Sequence, residues 1–332
     1  MTYTGPAQAT RPPGLADRVL GFWTPRRMAF PVFLILAIFT VMYGYSPGLA
    51  DPDYYWHLKT GELIWQARAL PEGDPFSWTF QGRDWVLHEW LFQLGLYRLY
   101  ALTGPAGVAA MTAFVLALVW YLPYATADRM VKRPVLVFLL ALVLGAGVVG
   151  SGAPRPHLVS LVFFAILLAV FFQAKYGARH WPLLAVPVLM VVWVNAHGGF
   201  AIGIAAMAAL AALEWVNLAW RYRDRAQVVL CAWLTGVAGL TLAASALNPD
   251  GVAHWAYPFY VAGLDLTGII QEWKSIMESP WRGPWYAAGG VVWLVVTQTS
   301  RRRQDATELM FPMALFLANF GTRFGREVLR KK

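Results

Sequence analysis

Residues 181–213 read WPLLAVPVLMVVWVNAHGGFAIGIAAMAALAAL, and these 33 residues contain no Asp, Glu, Lys or Arg. An α-helix needs roughly 20 apolar residues to cross the hydrocarbon core of a bilayer, so the stretch is long enough for two short spans. Its centre, Asn195-Ala-His-Gly-Gly199, is polar and contains two helix-weakening glycines. We therefore predict two membrane-spanning helices joined by a turn at one membrane surface, with His197 in that turn.

Six further stretches are free of Asp, Glu, Lys and Arg over 17 to 29 residues. They are residues 28–50, 99–127, 134–154, 156–174, 226–249 and 284–300. The whole chain is 58% apolar and 14% charged, whereas soluble domains are about 45–50% apolar and about 25% charged. The sequence therefore predicts an all-α, polytopic membrane helix bundle with about eight transmembrane helices, and it argues against a water-soluble domain.

The basic residues are distributed unequally between the two sides of such a bundle. If the N-terminus is cytoplasmic, the cytoplasmic segments before Gly321 hold 15 Lys and Arg residues and the opposite side holds seven. Short cytoplasmic loops of membrane proteins are rich in these residues. We therefore predict a multi-pass protein of the plasma membrane with residues 1–27 as a cytoplasmic tail. This distribution explains the formal charge of +9 without a nucleic-acid partner.

The C-terminal part contains one more apolar stretch, residues 309–320, which is only twelve residues long. That length is too short for an ordinary span and favours an interfacial helix followed by a basic cytoplasmic tail. A truncated C-terminus would give the same pattern. The lone cysteine, Cys231, lies inside a predicted span and indicates no disulfide framework.

The first loop after the opening span, residues 51–105, begins with Asp51-Pro-Asp-Tyr-Tyr-Trp-His-Leu58. This order is typical of a helix start, since an Asp side chain caps free backbone N–H groups and Pro suits the first helical position. Asp53 and His57 then lie one turn apart on the same helical face. The aromatic residues between them favour an amphipathic juxtamembrane helix in the headgroup region.

A second juxtamembrane helix is predicted in the same loop. Residues 76–86 suggest a small hairpin, and residues 85–102 regain helical character until Gly104-Pro105. His88 and Glu89 lie near the start of this second helix. The loop therefore presents acids and histidines next to the membrane surface.

These segments resemble a known family. A cytoplasmic N-terminus, a first span, acids directly after it and two juxtamembrane helices are similar to the GT-C superfamily of membrane glycosyltransferases, particularly bacterial members related to protein mannosyltransferases. The motifs Asp-Pro-Asp-Tyr-Tyr-Trp-His-Leu (51–58), Asp-Pro-Phe-Ser-Trp-Thr (74–79) and Trp-Val-Leu-His-Glu-Trp-Leu (85–91) also resemble bacterial proteins of unknown function in that superfamily. The resemblance covers roughly residues 28–275 and leaves residues 276–332 as a last span, an interfacial segment and a basic tail.

The resemblance implies an enzyme of the bacterial inner membrane that takes a sugar from a polyprenyl phosphate. The sugar is transferred, usually with inversion, to a glycan, lipid or protein acceptor outside the cytoplasm. By the same resemblance the catalytic base is Asp53, with Asp51 as the alternative, and Glu89 is a second catalytic acid. Asp-Pro-Asp departs from the Asp-Glu and Glu-x-Asp pairs that are commoner in the superfamily, so a purely capping role for Asp51 stays open.

Transfer from a lipid phosphate also requires groups that bind the phosphate as negative charge grows on it. Arg155-Pro-His157 and Asn195-Ala-His197-Gly-Gly199 lie at the outer ends of predicted spans, and arginine makes bidentate phosphate contacts. His57, His88 and Lys274 complete the candidate substrate-binding residues. Simpler interpretations stay open. Arg155 could reach lipid headgroups, His197 could satisfy a helix end, and Gly198-Gly199 could serve close packing of helices.

A divalent metal is a further hypothesis for this loop. Histidine and carboxylate side chains are suitable ligands for zinc or manganese, and carboxylates also for magnesium. Asp53, His57 and Glu89 could therefore hold such an ion, although the pattern requires none. The zinc-protease motif His-Glu-x-x-His is absent, because the residue three places after Glu89 is Phe92.

A polytopic transporter or a flippase for lipid-linked glycans is the alternative function. Such a protein is expected to carry charges within its spans along a midplane pathway. Here Glu214 is nearly the only charge inside a predicted span, and it lies close to the cytoplasmic end of the sixth one. A binding scaffold would have no need of acids and histidines gathered on one side. No Gly-x-Ser-x-Gly elbow of a serine hydrolase occurs.

Overall fold

The computed structural model describes residues 24–44, 51–131, 133–145, 152–177, 179–264, 282–299 and 304–315. Within these residues the elements are helical, and an isolated antiparallel bridge joins Gly73 to Asp84. The α-helices are α1 (Pro25–Gly44), α2 (Asp53–Ala67), α3 (Trp90–Val131), α4 (Pro134–Gly145), α5 (His157–Gly177), α6 (Ala185–Ala196), α7 (Phe200–Trp220), α8 (Arg225–Ala244), α9 (Tyr257–Gly263), α10 (Arg282–Thr299) and α11 (Ala306–Leu315). Short 3₁₀ turns, Trp181–Leu184 and Gly251–Ala256, precede α6 and α9.

Five of the described helices, α1, α3, α5, α7 and α8, are long and apolar enough to cross a membrane. The chain is therefore an all-α membrane protein, as its composition predicts. Three other predicted spans fall on α4, on Trp181–Ala196 and on α10, which are shorter within the described residues. A total of eight spans stays a prediction.

The turn predicted inside residues 181–213 is confirmed, since α6 ends at Ala196 and α7 begins at Phe200. Asn195 fixes this turn to its neighbours. Its amide accepts a hydrogen bond from the indole of Trp90 at 2.9 Å and donates to the carbonyls of Val191 and Leu247, each at 2.8 Å. These bonds join α3, α6 and the end of α8 at one end of the bundle.

Two apolar cores hold the bundle together. In the first, α1 places Ala29, Phe33 and Ala37 at four-residue spacing against α3, where Trp120 and Tyr124 repeat the same spacing. Residues four apart lie on one helical face, so each helix buries a continuous stripe. Close van der Waals packing of such stripes is what holds helices together where lipid is as apolar as the side chains.

The second core is formed by α5, α6, α7 and α8. Phe171, Met190, Trp193 and Phe200 are almost completely buried in it. Phe311 of α11 packs into the same core, so α11 is in contact with the bundle. The interfacial position predicted for residues 309–320 is untested.

The predicted juxtamembrane helices are α2 and the first part of α3. The two helices approach closely because Gly61 has no side chain: a Cβ there would lie 2.0 Å from the carbonyl oxygen of Gln93. The second helix begins at Trp90 rather than near residue 85, since residues 85–89 form the extended end of a loop and a turn. The expected break at Gly104 is confirmed by its φ of 67°. Residues 76–86 contain no strand and hence no hairpin beyond the isolated bridge.

Candidate active site at one end of the helix bundle

Arg155, two residues before α5, faces two carboxylates of the first loop. Its Nη2 donates to Oδ1 of Asp51 at 2.5 Å and lies 2.8 Å from Oδ2 of Asp53. The exposed fraction of the side chain is 18% for Asp51 and 44% for Asp53. The structure thus brings together three predicted site residues, and Asp53 is the more accessible of the two acids.

Asp51 also shapes the start of α2. Its Oδ1 accepts the backbone N–H of Asp53 at 3.0 Å, and its backbone carbonyl accepts the N–H of Tyr54 at 3.3 Å. Asp51 thus binds free N–H groups at this helix start as predicted, although α2 itself begins at Asp53 and its N-cap residue is Pro52 rather than Asp51. Asp51 therefore has a structural role at the start of α2, and Asp53 is the carboxylate with fewer hydrogen bonds to its neighbours among the described residues.

Glu89 lies among imidazole rings. Its Oε1 is 3.3 Å from Nε2 of His88, and its Oε2 is 3.7 Å from Nδ1 of His57. His197 is a further electrostatic neighbour. The expectation that Glu89 lies inside the second helix is wrong by one residue, because the residue precedes α3 and its carbonyl accepts the N–H of Gln93 at 3.0 Å.

Burial sets the charge of this cluster. It lowers the pKa of His57 to about 4, against the opposing attraction of Glu89 and Asp53. Burial likewise lowers the pKa of His197. Burial alone would raise the pKa of Glu89, but the hydrogen bond from His88 and the electrostatic influence of His88, His57 and His197 together bring the pKa of Glu89 below its ordinary value. At neutral pH the cluster therefore combines an ionised Glu89 with neutral His57 and His197.

The ring of His197 is held on one edge. Its Nδ1 lies 2.6 Å from Oγ of Ser160, which accepts the indole N–H of Trp193 at 2.7 Å, and Nδ1 also accepts the backbone N–H of Gly199 at 3.1 Å. The backbone N–H of Gly199 is therefore already bound within the protein. A Cβ at Gly198 would lie 3.5 Å from Cδ2 of His88, which is an ordinary van der Waals distance.

Several residues that line the candidate site were not predicted from the sequence. Gln93 lies 3.1 Å from Nδ1 of His57, and Tyr257 packs on His88 with ring centroids 4.3 Å apart. His254 stacks on Tyr257 and lies 3.3 Å from Oδ2 of Asp250. A polar residue inside an apolar helix was the available signal for Gln93. The i, i+4 pair of an acid and a histidine was the signal for Asp250 and His254.

The other two predicted site residues are His157 and Lys274. His157 is the half-buried first residue of α5, whereas Lys274 lies outside the described residues. In the part of the chain that the structure describes, no three His, Cys, Asp or Glu side chains are grouped to hold an ion. A metal bound through Asp53, His57 and Glu89 therefore stays a prediction.

A second charged cluster lies toward the other end of α5. Lys175 contacts Oε1 of Glu214 at 2.5 Å and Oδ2 of Asp305 at 2.8 Å. Thr307 donates to Oε1 of Glu214 at 2.6 Å, and Gln227 donates to its Oε2 at 2.8 Å. Glu214, nearly the only charge inside a predicted span, thus has partners that come from distant segments of the chain.

Comparison of the chain with protein-family models, with curated proteins and with solved structures gives no match.

Proposed function

We propose that this membrane protein is a glycosyltransferase that moves a sugar from a polyprenyl-phosphate donor to an extracytoplasmic glycan, lipid or protein acceptor. The observation that supports the proposal most directly is the Arg155 guanidinium shared by a capping Asp51 and an accessible Asp53. A cation for phosphate and a carboxylate base are the two groups that such a transfer needs. Asp53 is the proposed base.

The transfer requires one bond to form and one to break. The acceptor hydroxyl oxygen attacks the anomeric carbon of the sugar while its proton passes to Asp53. The bond between that carbon and the phosphate oxygen breaks, and the leaving phosphate keeps the electron pair. Attack from the face opposite the phosphate inverts the anomeric centre.

Arg155 is proposed to receive the negative charge of the leaving phosphate. In the described structure its Nη2 contacts Asp51 and Asp53 at once. A phosphate that takes the place of Asp53 on the guanidinium would release that carboxylate to act as a base. The half-exposed side chain of Asp53 makes this exchange inexpensive, because exposed ion pairs contribute only about 0–1 kcal/mol.

The proposal places the cluster on the extracytoplasmic side of a bacterial inner membrane. The 15 to seven distribution of basic residues supports a cytoplasmic N-terminus. With α1 crossing once, α2 and the loop before α3 would then face outward. A divalent ion at Asp53, His57 and Glu89 is compatible with the donor set and remains part of the proposal.

The test is a transfer assay with detergent-solubilised protein and radiolabelled polyprenyl-phosphate sugars. Asp53→Asn is expected to lower turnover by about 100-fold to 10,000-fold, the usual contribution of a general base. Glu62→Gln is the matched control, since Glu62 is another acid on α2 that pairs with exposed Lys59 at 2.7 Å. Undiminished turnover in Asp53→Asn would remove the base from the proposal.

The same assay separates the enzyme from the transporter or flippase. A flippase moves a lipid-linked sugar between leaflets and forms no new glycosidic bond, so it yields no labelled product in detergent. Labelled product from wild-type protein without a sealed bilayer supports the transferase. Movement of the lipid in proteoliposomes with no product under any condition would favour the alternative.

A further inference from the structure

Two arginines of the first loop lie against one indole ring. Trp65, near the end of α2, is half-buried, and the guanidinium carbons of Arg68 and Arg98 lie 4.0 Å and 3.7 Å from its ring centroid. Arg68 follows α2 directly and Arg98 belongs to the first part of α3, so the ring joins two helices. Both distances are in the range of a cation–π attraction, and the two guanidinium carbons lie no further apart than their sum, about 8 Å.

These two cations have no anionic partner from the protein. Neither guanidinium makes a hydrogen bond or an ion pair in the part of the chain that the structure describes. Glu62 is the acid of α2 that is closest to them in sequence, and its carboxylate already binds Lys59 at 2.7 Å and Gln66 at 3.1 Å. Two positive charges at this separation repel each other, so an anion that contacts both is favoured.

Arg68 occupies a position at which the backbone favours glycine. Its φ of 54° is the one positive φ of a non-glycine residue among the described residues. Its N–H donates to the carbonyl of Ile64 at 2.9 Å, which closes α2 with the left-handed ending that glycine forms at the lowest cost. Because an arginine here carries backbone strain, its side chain is expected to have a role of its own.

The sequence places this pair at the edge of a membrane span. Arg98 is the last charged residue before residues 99–127, which contain no Asp, Glu, Lys or Arg. The bend of α3 at Gly104 follows about 9 Å further along the helix. Lipid phosphates lie directly outside the hydrocarbon core of a bilayer, so the sequence predicts that Arg98 lies at their depth.

An anionic phospholipid is the ligand that matches these observations. Guanidinium groups bind phosphate oxygens through paired hydrogen bonds, and a phosphodiester has two charged oxygens, one for each arginine. A lipid with a net negative charge is favoured over a zwitterionic lipid, because the ammonium group of the latter would lie beside two cations.

We propose that Trp65, Arg68 and Arg98 form a binding site for one anionic phospholipid, in which Trp65 holds both guanidinium groups beside the phosphate. Trp65 follows Asp53 by about 18 Å along α2, so the lipid site is separate from the proposed base. The site therefore does not depend on the proposed sugar transfer.

The first test measures lipid binding to the full-length protein in detergent. Native mass spectrometry compares the binding of phosphatidylglycerol and phosphatidylcholine with identical acyl chains. We expect the wild-type protein to prefer one phosphatidylglycerol, and Arg98→Gln to lower this preference by about fivefold, the contribution of one basic residue at an anionic surface. Equal affinity of the wild-type protein for both lipids would overturn the proposal.

Arg83→Gln is the matched control. Arg83 belongs to the same loop and also lies over an aromatic ring, that of Phe80 at 5.1 Å, but no second arginine lies over that ring in the described residues. The control should keep most of the preference for phosphatidylglycerol. Equal losses in Arg83→Gln and Arg98→Gln would mean that the loop attracts anions only by its overall charge, and the site would be refuted.

Arg68→Gly separates lipid binding from stability. Glycine adopts a φ of 54° without strain, so this variant should unfold in SDS no more easily than the wild-type protein, while its preference for phosphatidylglycerol falls by about fivefold. Both measurements use the same preparation. A less stable variant with an unchanged lipid preference would mean that Arg68 only joins α2 to α3, and the proposal would fail.

The last test identifies the source of the phosphate. Excess inorganic phosphate or an equimolar amount of sugar-free polyprenyl phosphate is added to the complex with phosphatidylglycerol. Retention of phosphatidylglycerol in both cases supports the phospholipid site. Displacement by inorganic phosphate would indicate a site for free anions, and displacement by polyprenyl phosphate would indicate a site for the donor lipid; either result overturns the proposal. No sugar is transferred in these measurements, so failure of the proposed function is recognised separately in the transfer assay.

Discussion

Arg155 before the start of α5 and Lys175 near its end each face two carboxylates, but in different surroundings. Twenty residues of helix separate them, which corresponds to about 30 Å. Lys175, Glu214 and Asp305 have side chains that are 5%, 0% and 2% exposed. In the Arg155 cluster the exposed fraction reaches 44% at Asp53.

The hydrogen bonds around the acids differ in the same direction. Glu214 receives bonds from Thr307, Asn217 and Gln227 in addition to its ion pair, so its oxygens are fully used. Asp53, in contrast, contacts Arg155 and has a side chain that is accessible to solvent. A buried, saturated ion pair fixes helices to each other, whereas an accessible carboxylate can exchange partners with a ligand. The difference in burial and bonding indicates a structural role for the Lys175 cluster, and it agrees with the proposed chemistry at the Arg155 cluster.

Removing the buried cation of the Lys175 cluster should have the largest effect on stability. Lys175→Met leaves Glu214 and Asp305 buried without a counter-charge, and we expect it to lower the free energy of unfolding by about 3–5 kcal/mol. The measurement is SDS-induced unfolding of the purified protein in mild detergent. Lys59→Met, which removes an exposed pair with Glu62, is the control and should cost less than about 1 kcal/mol. Similar losses in both variants would contradict the structural role of Lys175.

A single hydrogen bond in the same cluster should have a smaller effect. Thr307→Val removes the donor to Oε1 of Glu214 and is expected to cost about 1.5–3 kcal/mol, the range for bonds to charged groups. Thr297→Val is a matched control, because Thr297 is half-buried and its hydroxyl donates to the carbonyl of Leu294 in its own helix rather than to a charged group. Both variants are compared by the same unfolding titration. A cost for Thr307→Val no larger than that of the control would argue that α11 is not fixed by this cluster.

The stability of the protein near the Arg155 cluster should depend on pH through His57. The pKa of His57 is about 4 in the folded protein and about 6.5 in an unfolded chain, so folding favours the neutral ring. This contribution is fully present above pH 6.5 and is lost as the pH falls toward 4. We expect it to account for about 2 kcal/mol between pH 7 and pH 4.5, a window above the range in which Glu89 titrates.

The corresponding variant is His57→Gln. Its stability should fall less steeply than that of the wild-type protein over the same window, while His197 and His254, whose pKa values are also lowered by burial, keep part of the slope. Unfolding titrations at several pH values give both curves. Parallel curves for the two proteins would show that the folded state does not hold His57 neutral.

The sequence allowed much of the fold to be predicted where the signal is local. The paired glycines after Asn195 predicted the turn between α6 and α7, and Asp51-Pro-Asp predicted the start of α2. Both depend on backbone preferences of neighbouring residues, which a single sequence displays directly. The position of Asp53, Glu89 and Arg155 at the same end of the bundle was predicted by counting how many spans separate them along the chain.

Partners that are distant in sequence could not be predicted. The partners of Glu214 are an example, because Lys175 lies 39 residues before it and Thr307 lies 93 residues after it. Helical periodicity shows which face a residue occupies but not which other helix meets that face. The same reason hid Ser160, a small polar residue within an apolar helix, whose contact with His197 spans 37 residues.

The smallest expected change in stability belongs to the residue with the largest expected effect on activity. Asp53→Asn removes a half-exposed ion pair while Asp51 retains both its cap and its bond to Arg155, so the free energy of unfolding should change by less than about 1 kcal/mol. The unfolding titration and the transfer assay are performed on the same preparation. If Asp53→Asn unfolds as easily as Lys175→Met, then its loss of turnover reports lost structure, and the division between a structural and a chemical end of α5 fails.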